Sequence, residues 1–315
     1  MLKNNVVVVG SGMMGSGIGA MAALAGNQTV LVDVDETRAA AGKEKAFACM
    51  DLRAANGLNT PEEVEAAKKR LSTSGDLPEA ARSAKLVIEA IVEKLEAKQS
   101  LFRELDRLLD ADVPICSNTS GLRITEIAAL CDRHPERTMT THFWLPAHLV
   151  PLVEVVLWEK TNPAMAEDVA AQLKRWKKAP VLVRRDLPGQ LANRVFQAII
   201  RESIDIVESG LASAEDVDTA IAAGMAMRFP VWGPLMHLDA IGTNLGLSVQ
   251  ETVLPSIAAN REAGKYIKDM VQRGDLGAKT GRGFYDWSER SIDDAMKKRD
   301  GFIIGACRLL EELNH

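Results

Sequence analysis

The sequence is poor in the features that mark several classes of protein. Its 315 residues include only four cysteines, and none has the paired spacing of a disulfide framework or a zinc site. No apolar run is long enough for a membrane-spanning helix. The N-terminus enters an apolar run at once, without the segment that a signal or transit peptide requires. We therefore expect a reduced, cytoplasmic protein.

An excess of positive charge is also missing. The formal net charge is −5 at pH 7, hydrophobic residues make up 47% and charged residues 26%. This balance argues against a broad nucleic-acid or anionic-membrane surface, so we expect neither partner. The composition is typical of a globular protein, and the length allows two domains with separate cores.

Strand-like and helix-like segments alternate in the first half of the chain. The strand-like runs are Asn5–Val9, Thr29–Val32, Leu86–Ala90, Ile115–Ser117, Met139–Phe143, Leu152–Leu157 and Val181–Val183. The predicted helices between them include Pro61–Leu71 and Glu93–Leu109. Such alternation predicts an α/β domain with a doubly wound, mainly parallel sheet of the Rossmann type. Only a short loop separates the runs that end at Phe143 and begin at Leu152, so these two are expected to pair as a hairpin or to be neighbours.

Helical periodicity replaces this alternation after Pro188-Gly189. The predicted helices are Val195–Glu208, Ala214–Met225, Leu235–Leu247, Tyr266–Arg273 and the tail Ile292–Leu313. We therefore predict a Rossmann domain over residues 1–187 and an all-α C-terminal domain over 188–315. The apolar stripe of the tail is expected to lie either on a partner or on its own domain.

A glycine-rich turn follows the first predicted strand. Val6–Val9 leads into Gly10-Ser11-Gly12-Met13-Met14-Gly15, and a helix-forming stretch comes next. Gly10 allows the sharp turn, Gly12 clears space for a pyrophosphate, and Gly15 allows close packing of helix and sheet. The helix N-terminus would offer its N–H groups to the phosphates.

An acid, Asp33, ends the next strand at the position that contacts the adenosine ribose. Its carboxylate would accept hydrogen bonds from the ribose hydroxyls and repel a 2′-phosphate. The motif therefore predicts NAD rather than NADP as the cofactor. The alternative is a glycine-rich strand–turn–helix that binds no nucleotide.

Two titratable residues lie in the predicted strand pair. His142 is near the end of one strand, and Glu154 interrupts an otherwise apolar run in the next. A carboxylate in such a strand is costly unless it is paired. Pairing would fix the tautomer of His142 and leave its other ring nitrogen as a general base. A structural pair, or a glutamate that points to solvent, fits these residues equally well.

Polar residues also follow the strand that ends at Ser117. Ser117-Asn118-Thr119-Ser120 would lie at the carboxyl edge of the sheet, where ligands of such sheets bind, or would cap the next helix. Asn193 begins the helical region, where it faces an interdomain cleft or simply starts a helix.

Taken together, these segments resemble the L-3-hydroxyacyl-CoA dehydrogenase family over nearly the whole chain. The matching motifs are Gly10-x-Gly12-x-Met14-Gly15-x-Gly17-Ile18, Glu89-Ala90-Ile91-Val92-Glu93, Ser117-Asn118-Thr119-Ser120, His142-Phe143, Leu152-Val153-Glu154-Val155, Asn193-Arg194, Gly233-Pro234-Leu235 and Lys279-Thr280-Gly281-Arg282-Gly283-Phe284-Tyr285.

The resemblance implies NAD-dependent oxidation of a secondary alcohol by a protein that usually forms a homodimer through its helical domain. It implies that His142 is the base, Glu154 orients it, and Ser120 and Asn193 hold the reacting oxygen. It adds Met14, Glu93 and Asn118 to the residues that bind the cofactor. No metal is implied.

Two departures from the family pattern concern the substrate. Leu145 replaces an asparagine in the motif His-Phe-x-Asn-Pro, and the helical stretch over residues 46–56 has one arginine where acyl-CoA members have several lysines. The second departure favours a small free hydroxy acid, as in family members such as L-gulonate 3-dehydrogenase. The alternative that the resemblance itself implies is a 3-hydroxyacyl-CoA thioester, such as 3-hydroxybutyryl-CoA. Arg228 would hold a substrate carboxylate or merely offset a helix dipole. Trp144 is the other candidate substrate contact. The alternative from a different functional class is a non-catalytic protein, either crystallin-like or NAD-sensing.

Overall fold

The computed structural model describes residues 5–313, except for the side chains of residues 311 and 313. The ends of the two predicted domains, 1–4 and 314–315, lie outside the described residues. The described chain forms two compact units. The first contains the residues up to Leu191 together with Phe302–Leu313, and the second contains Ala192–Gly301.

A single eight-stranded sheet forms the centre of the first unit. Its strands are β1 (Asn5–Val9), β2 (Gln28–Val32), β3 (Leu71–Ser74), β4 (Leu86–Glu89), β5 (Ile115–Ser117), β6 (Thr138–Phe143), β7 (Leu152–Val156) and β8 (Ala179–Val183). The strand order is β3-β2-β1-β4-β5-β6-β7-β8. The first six strands are parallel, whereas β7 pairs antiparallel with β6 and parallel with β8. The predicted Rossmann-type α/β fold is confirmed, and so is the strand pair formed by β6 and β7.

Helices cover both faces of this sheet. They are α1 (Met13–Leu24), α2 (Glu36–Ala55), α3 (Pro61–Lys68), α4 (Leu77–Ala81), α5 (Leu95–Leu108), α6 (Ile124–Ile127) and α7 (Pro163–Arg175). Alternate residues of β1 enter different cores: Val6 and Val8 pack with one cluster of buried residues, and Val7 and Val9 with the other. A parallel strand that is buried on both faces reads as a continuous apolar run, which explains the four consecutive valines.

One predicted helix is too long and hides a strand. Pro61–Leu71 was expected to be a single helix, but α3 ends at Lys68 and Leu71 begins β3. The sequence of β3 is Leu-Ser-Thr-Ser, with one apolar residue. As the edge strand of the sheet, β3 pairs only with β2. Such a strand has neither the apolar run nor the clean alternation from which strands are recognised.

The second unit is helical. Its helices are α8 (Ala192–Glu208), α9 (Ala214–Ala220), α10 (Pro234–Ile241), α11 (Thr243–Val253), α12 (Lys265–Arg273) and the first part of α13 (Ile292–Leu313). A π-helical turn, Ile221–Met225, continues α9. The predicted helix Leu235–Leu247 is wrong, because Gly242 has a φ of +93° and separates α10 from α11. A glycine adopts this conformation without strain, so the break leaves little trace in the apolar periodicity.

The tail helix returns to the first unit. Its residue Ile304 is buried in a small apolar cluster with Leu58 and Leu149. The segment Phe302–Leu313 therefore belongs to the first compact unit, although the predicted range 188–315 contains it. The boundary between residues 187 and 188 stays a prediction. Within residues 5–313 no helix has both the length and the apolar character needed to cross a membrane.

Candidate active site

The turn between β1 and α1 has the geometry of a phosphate-binding loop. Gly10 has a φ of +98°, and its N–H donates to Val32 O at 2.8 Å. A Cβ on Gly10 would collide with the carbonyl group of Ala90, and a Cβ on Gly15 would overlap Gly10 O. At both positions only glycine fits the close approach of two backbone segments.

The outer side of this turn is open. A Cβ on Gly12 would meet no atom within 4 Å, so this side of the loop has room for a ligand. Gly12 is the N-cap of α1, and the cap makes no side-chain hydrogen bond. The first turn of α1, which contains Met14, has no acidic residue. These features suit the pyrophosphate of a dinucleotide, because a helix N-terminus without its own cap attracts anions.

Asp33 is ionised and partly exposed at the end of β2. Its Oδ2 accepts hydrogen bonds from Ser11 N at 2.8 Å and from Ser11 Oγ at 2.6 Å. Its Oδ1 accepts from Val34 N at 2.8 Å. Although partial burial raises the pKa of Asp33, these hydrogen bonds outweigh burial and hold that pKa below its usual value. The carboxylate thus braces the glycine turn and keeps a negative charge where a 2′-phosphate would be repelled.

Hydrogen bonds link three side chains near the end of β6, those of Ser120, His142 and Glu154. His142 and Glu154 are direct partners in the antiparallel pair of β6 and β7. His142 Nδ1 is 2.8 Å from Glu154 Oε2, and His142 Nε2 is 3.0 Å from Ser120 Oγ. His142 is 5% exposed and Glu154 is fully buried. The strand register thus provides the pairing that the carboxylate needs in an apolar strand.

Glu154 accepts further hydrogen bonds from groups that only donate. Leu191 N donates to its Oε1 at 2.8 Å, and Trp144 Nε1 donates to its Oε2 at 3.1 Å. An ionised Glu154 is the acceptor toward His142 as well. In that state a neutral His142 would carry its proton on Nδ1 and present a lone pair on Nε2 to Ser120.

The comparisons with known proteins agree with this geometry. Residues 5–187 match the family model of the 3-hydroxyacyl-CoA dehydrogenase NAD-binding domain, and residues 189–287 match that of the C-terminal domain. The chain belongs to the 3-hydroxyacyl-CoA dehydrogenase family. It is an NAD-dependent oxidoreductase, as the open glycine turn and Asp33 also indicate.

Relatives within this family differ in the substrates that their names state. The chain is 38% identical to a probable 3-hydroxybutyryl-CoA dehydrogenase of Bacillus subtilis over 287 residues, covering 91% of this chain and 98% of the relative. It is 28% identical to 5-formyl-3-hydroxy-2-methylpyridine 4-carboxylate 5-dehydrogenase of Mesorhizobium japonicum, covering 98% of both chains.

The names of solved structures in this family state the same two kinds of substrate, a free carboxylic acid and an acyl-CoA. A crystal structure named for the 5-dehydrogenase of that pyridine carboxylic acid, an NAD+-dependent dismutase, superimposes with a TM-score of 0.88 at 28% identity and covers 99% of both chains. The (S)-3-hydroxybutyryl-CoA dehydrogenase of Ralstonia eutropha gives a TM-score of 0.74 at 31% identity, covering 91% of this chain and 99% of that chain.

Two further residues that the family resemblance associates with the cofactor support the turn around Ser120. Glu93 Oε1 accepts hydrogen bonds from Thr119 Oγ1, from Ser120 N at 3.1 Å and from Gly121 N at 3.0 Å. Burial raises the pKa of Glu93, but the hydrogen bonds and the nearby Lys98 charge lower it overall. Asn118 Oδ1 accepts from Phe143 N at 2.8 Å and joins this turn to β6. A direct role of either residue in cofactor binding stays a prediction.

A buried ion pair behind this turn was not predicted from the sequence. Lys98 Nζ lies 2.5 Å from Glu89 Oε1 and 3.2 Å from Glu93 Oε2. Glu89 Oε2 accepts from Ser117 Oγ at 2.6 Å, and both members of the Glu89–Lys98 pair are at most 1% exposed. The available signal was a glutamate at the end of the apolar run Leu86–Ile88, since an acid there requires a partner.

Two predicted site residues lie in the second unit. Asn193 is in the first turn of α8, and Arg228 is an exposed residue just after the π-helical turn Ile221–Met225. The place of Arg228 beyond a helix end also fits an interaction with the helix dipole. The roles predicted for Asn193 and Arg228 stay predictions. Among the residues that the structure describes, no group of three His, Cys, Asp or Glu could hold a metal ion.

Proposed function

We propose that this dehydrogenase oxidises the hydroxyl group of a small, free 3-hydroxy acid, with His142 as the general base. The observation that carries the proposal is the hydrogen-bonded row of Ser120, His142 and Glu154 at the carboxyl end of the parallel strands. Ligands of doubly wound sheets bind at this edge. Ser120 and Asn193 are assigned to hold the reacting oxygen.

His142 and Glu154 have different roles in the proton transfer. His142 Nε2 accepts the proton of the substrate hydroxyl, and the charge of Glu154 stabilises the imidazolium that forms. NAD, when bound, supplies the hydride acceptor. In the reverse direction the imidazolium returns its proton to the carbonyl oxygen. The residues that would hold NAD are Gly10, Gly12, Met14, Gly15 and Asp33, with Glu93 and Asn118 near the reacting end.

The environment of Arg53 supports a free acid as the substrate. Arg53 is the one cation in the stretch where acyl-CoA members are rich in lysine, and it is only 5% exposed. Its Nη1 donates to His148 O at 2.7 Å and its Nε to Asn59 Oδ1 at 2.7 Å. A guanidinium bound in this way supports a loop and is not open to the phosphates of CoA. The Mesorhizobium relative, whose name states a free carboxylate, matches this chain over nearly its full length.

A second candidate substrate is a 3-hydroxyacyl-CoA. The names of the Bacillus and Ralstonia relatives favour it. A cavity of about 290 Å³ also lies beside α1 and α2, and Lys45 is the cation among its lining residues. The pantetheine arm of CoA needs an apolar channel, and the CoA phosphates need a cation nearby. This cavity has apolar lining residues and Lys45.

His142→Ala tests the proposed mechanism. We expect NADH binding, measured by fluorescence titration, to stay unchanged while turnover falls at least ~100-fold, because a general base contributes about that much. Unchanged turnover would refute the role of His142. Absence of NAD-dependent turnover in the wild-type protein would instead favour the non-catalytic alternative, in which the protein only binds or senses NAD.

The substrate class is tested by comparing free 3-hydroxy acids with their CoA thioesters. Formation of NADH is followed by absorbance at matched concentrations of the two series. We expect the higher kcat/KM with a free acid. Turnover of the thioesters alone would replace the first candidate with the second while leaving the role of His142 intact.

A further inference from the structure

Trp144 follows β6 by one residue and contacts the carboxylate that orients His142. Its indole Nε1 is 3.1 Å from Glu154 Oε2, the same oxygen that lies 2.8 Å from His142 Nδ1. The indole ring is half-buried, and its centroid is 5.9 Å from that of the imidazole at an interplanar angle of 54°. Trp144 thus contacts the dyad by a hydrogen bond to the carboxylate rather than by parallel stacking on the imidazole.

The chemistry of the two donors decides where protons reside in this cluster. An indole N–H donates and cannot accept, and the same holds for the Leu191 amide on Glu154 Oε1. Glu154 is fully buried, and burying a charged carboxylate is costly unless hydrogen bonds compensate. Each donor offsets part of that cost, because hydrogen bonds to the charged form stabilise it.

We propose that Trp144 is a positioning residue that keeps Glu154 Oε2 an acceptor, so that a neutral His142 carries its proton on Nδ1 and faces Ser120 with an unprotonated Nε2. Without the indole N–H, the pair takes up one proton from solvent more easily. The Glu154 carboxyl group is then protonated and donates to His142 Nδ1, while the ring proton resides on Nε2, which can no longer accept the substrate proton. The inference rests on the proposed role of His142 as the base.

Trp144→Phe removes the indole N–H and keeps an aromatic ring. The matched control is Trp158→Phe, because Trp158 is also half-buried and donates its Nε1–H to Thr138 Oγ1 at 2.9 Å, outside the dyad. We expect the Trp144 variant to lose about tenfold in kcat, the scale of one hydrogen bond to a charged group, with KM within about twofold. The control should retain both constants.

The second readout is the tautomer of His142 in the protein without substrate, measured by ¹⁵N NMR. The chain has five histidines, so the signals of His142 are assigned by their loss in His142→Ala. We expect Trp144→Phe to increase the fraction protonated on Nε2 and Trp158→Phe to leave it unchanged. Unchanged ¹⁵N shifts in the Trp144 variant, or a change confined to KM, would overturn the proposal.

A double-mutant cycle separates this role from a general structural one. In a Glu154→Gln background, Trp144→Phe should reduce kcat by less than about twofold further, since residues that act through one group are not additive. Full additivity would contradict the proposal. Because the NMR readout does not need turnover, it tests Trp144 even if His142→Ala retains activity and the proposed mechanism fails.

Discussion

The two compact units differ in how far they bury their own apolar residues. In the first unit both faces of the sheet are covered, and the core runs through β1, β2, β4 and the helices around them. In the described residues 192–301, Val217 and Met270 are the apolar side chains that are buried. The helix α8 is 17 residues long and has no buried residue.

The exposed apolar side chains of the second unit are large and numerous. Those that are at least 60% exposed are Leu211, Met227, Val231, Leu235 and Met236. Folded monomers rarely leave broad apolar faces uncovered. The first unit thus completes its own core, whereas the second leaves large apolar side chains exposed. We propose that a second copy of the chain covers these side chains, so that the protein is a homodimer.

The largest expected effect concerns a buried ion pair of the first unit. Arg137 is fully buried, and its Nη2 is 3.0 Å from Asp106 Oδ1. Arg137→Met should lower the free energy of unfolding by about 3–5 kcal/mol, because it leaves the buried Asp106 carboxylate without its positively charged partner. The matched change is Arg282→Met, whose side chain is 80% exposed beside Asp275 and whose loss should cost less than about 1 kcal/mol. Urea unfolding measures both, and equal losses would break the contrast.

A pair of leucines gives the next largest effect. Leu31 is fully buried in the first unit, and Leu235 is 77% exposed in the second. Leu31→Ala should lower the free energy of unfolding by about 2–5 kcal/mol. If a second copy covers α10, Leu235→Ala should weaken the dimer in analytical ultracentrifugation and make the melting temperature more dependent on protein concentration. A wild-type protein that sediments as a monomer at high concentration would refute the dimer.

The smallest expected effect, counted per pH unit, concerns a buried lysine. Lys178 Nζ donates to Ala147 O and Val150 O, and burial, with a smaller contribution from Arg53, lowers its pKa from 10.5 to about 7. Between these two pH values the unfolded chain holds a proton that the folded chain has released. The free energy of unfolding therefore rises with pH across this window, and the gain is lost as the pH falls through 7.

Lys178→Met should remove this rise, which amounts to at most about 1.4 kcal/mol per pH unit. The control is Lys268→Met, an exposed lysine of the second unit, which should keep the wild-type slope. Urea unfolding at several pH values above 7 measures both slopes. A wild-type slope in the Lys178 variant would show that this amine does not cause the dependence.

Most of the sheet could be predicted from sequence because its strands are apolar runs separated by helical stretches. The strand β3 could not, since Leu71 is its one apolar residue and edge pairing leaves no pattern. The return of Phe302–Leu313 to the first unit could not be predicted either. The apolar stripe of a helix shows that it needs a partner surface, but the stripe does not say which surface.

The site was predictable to the extent that strand order and motifs decide it. The pairing of His142 with Glu154 follows from a short loop between two strands and from the cost of an unpaired carboxylate. The hydrogen bonds of Glu154 with Trp144 and Leu191 depend on how two loops meet, which no local pattern encodes. The partner of Glu89 could not be predicted either. Lys98 lies in the helix α5, where a lysine is usually exposed, and its burial depends on how α5 packs on the sheet.

The antiparallel register of β6 and β7 has a consequence for how this enzyme can diversify. The ladder alone holds His142 opposite Glu154, so the connecting residues 145–150 do not set the distance between the two side chains. Residues 145–148 of that connection line the cavity beside α1 and α2, so substitutions there can change this cavity while the register of the two strands is kept. A library confined to residues 145–150 should therefore vary the cavity and leave the His142–Glu154 pair in place.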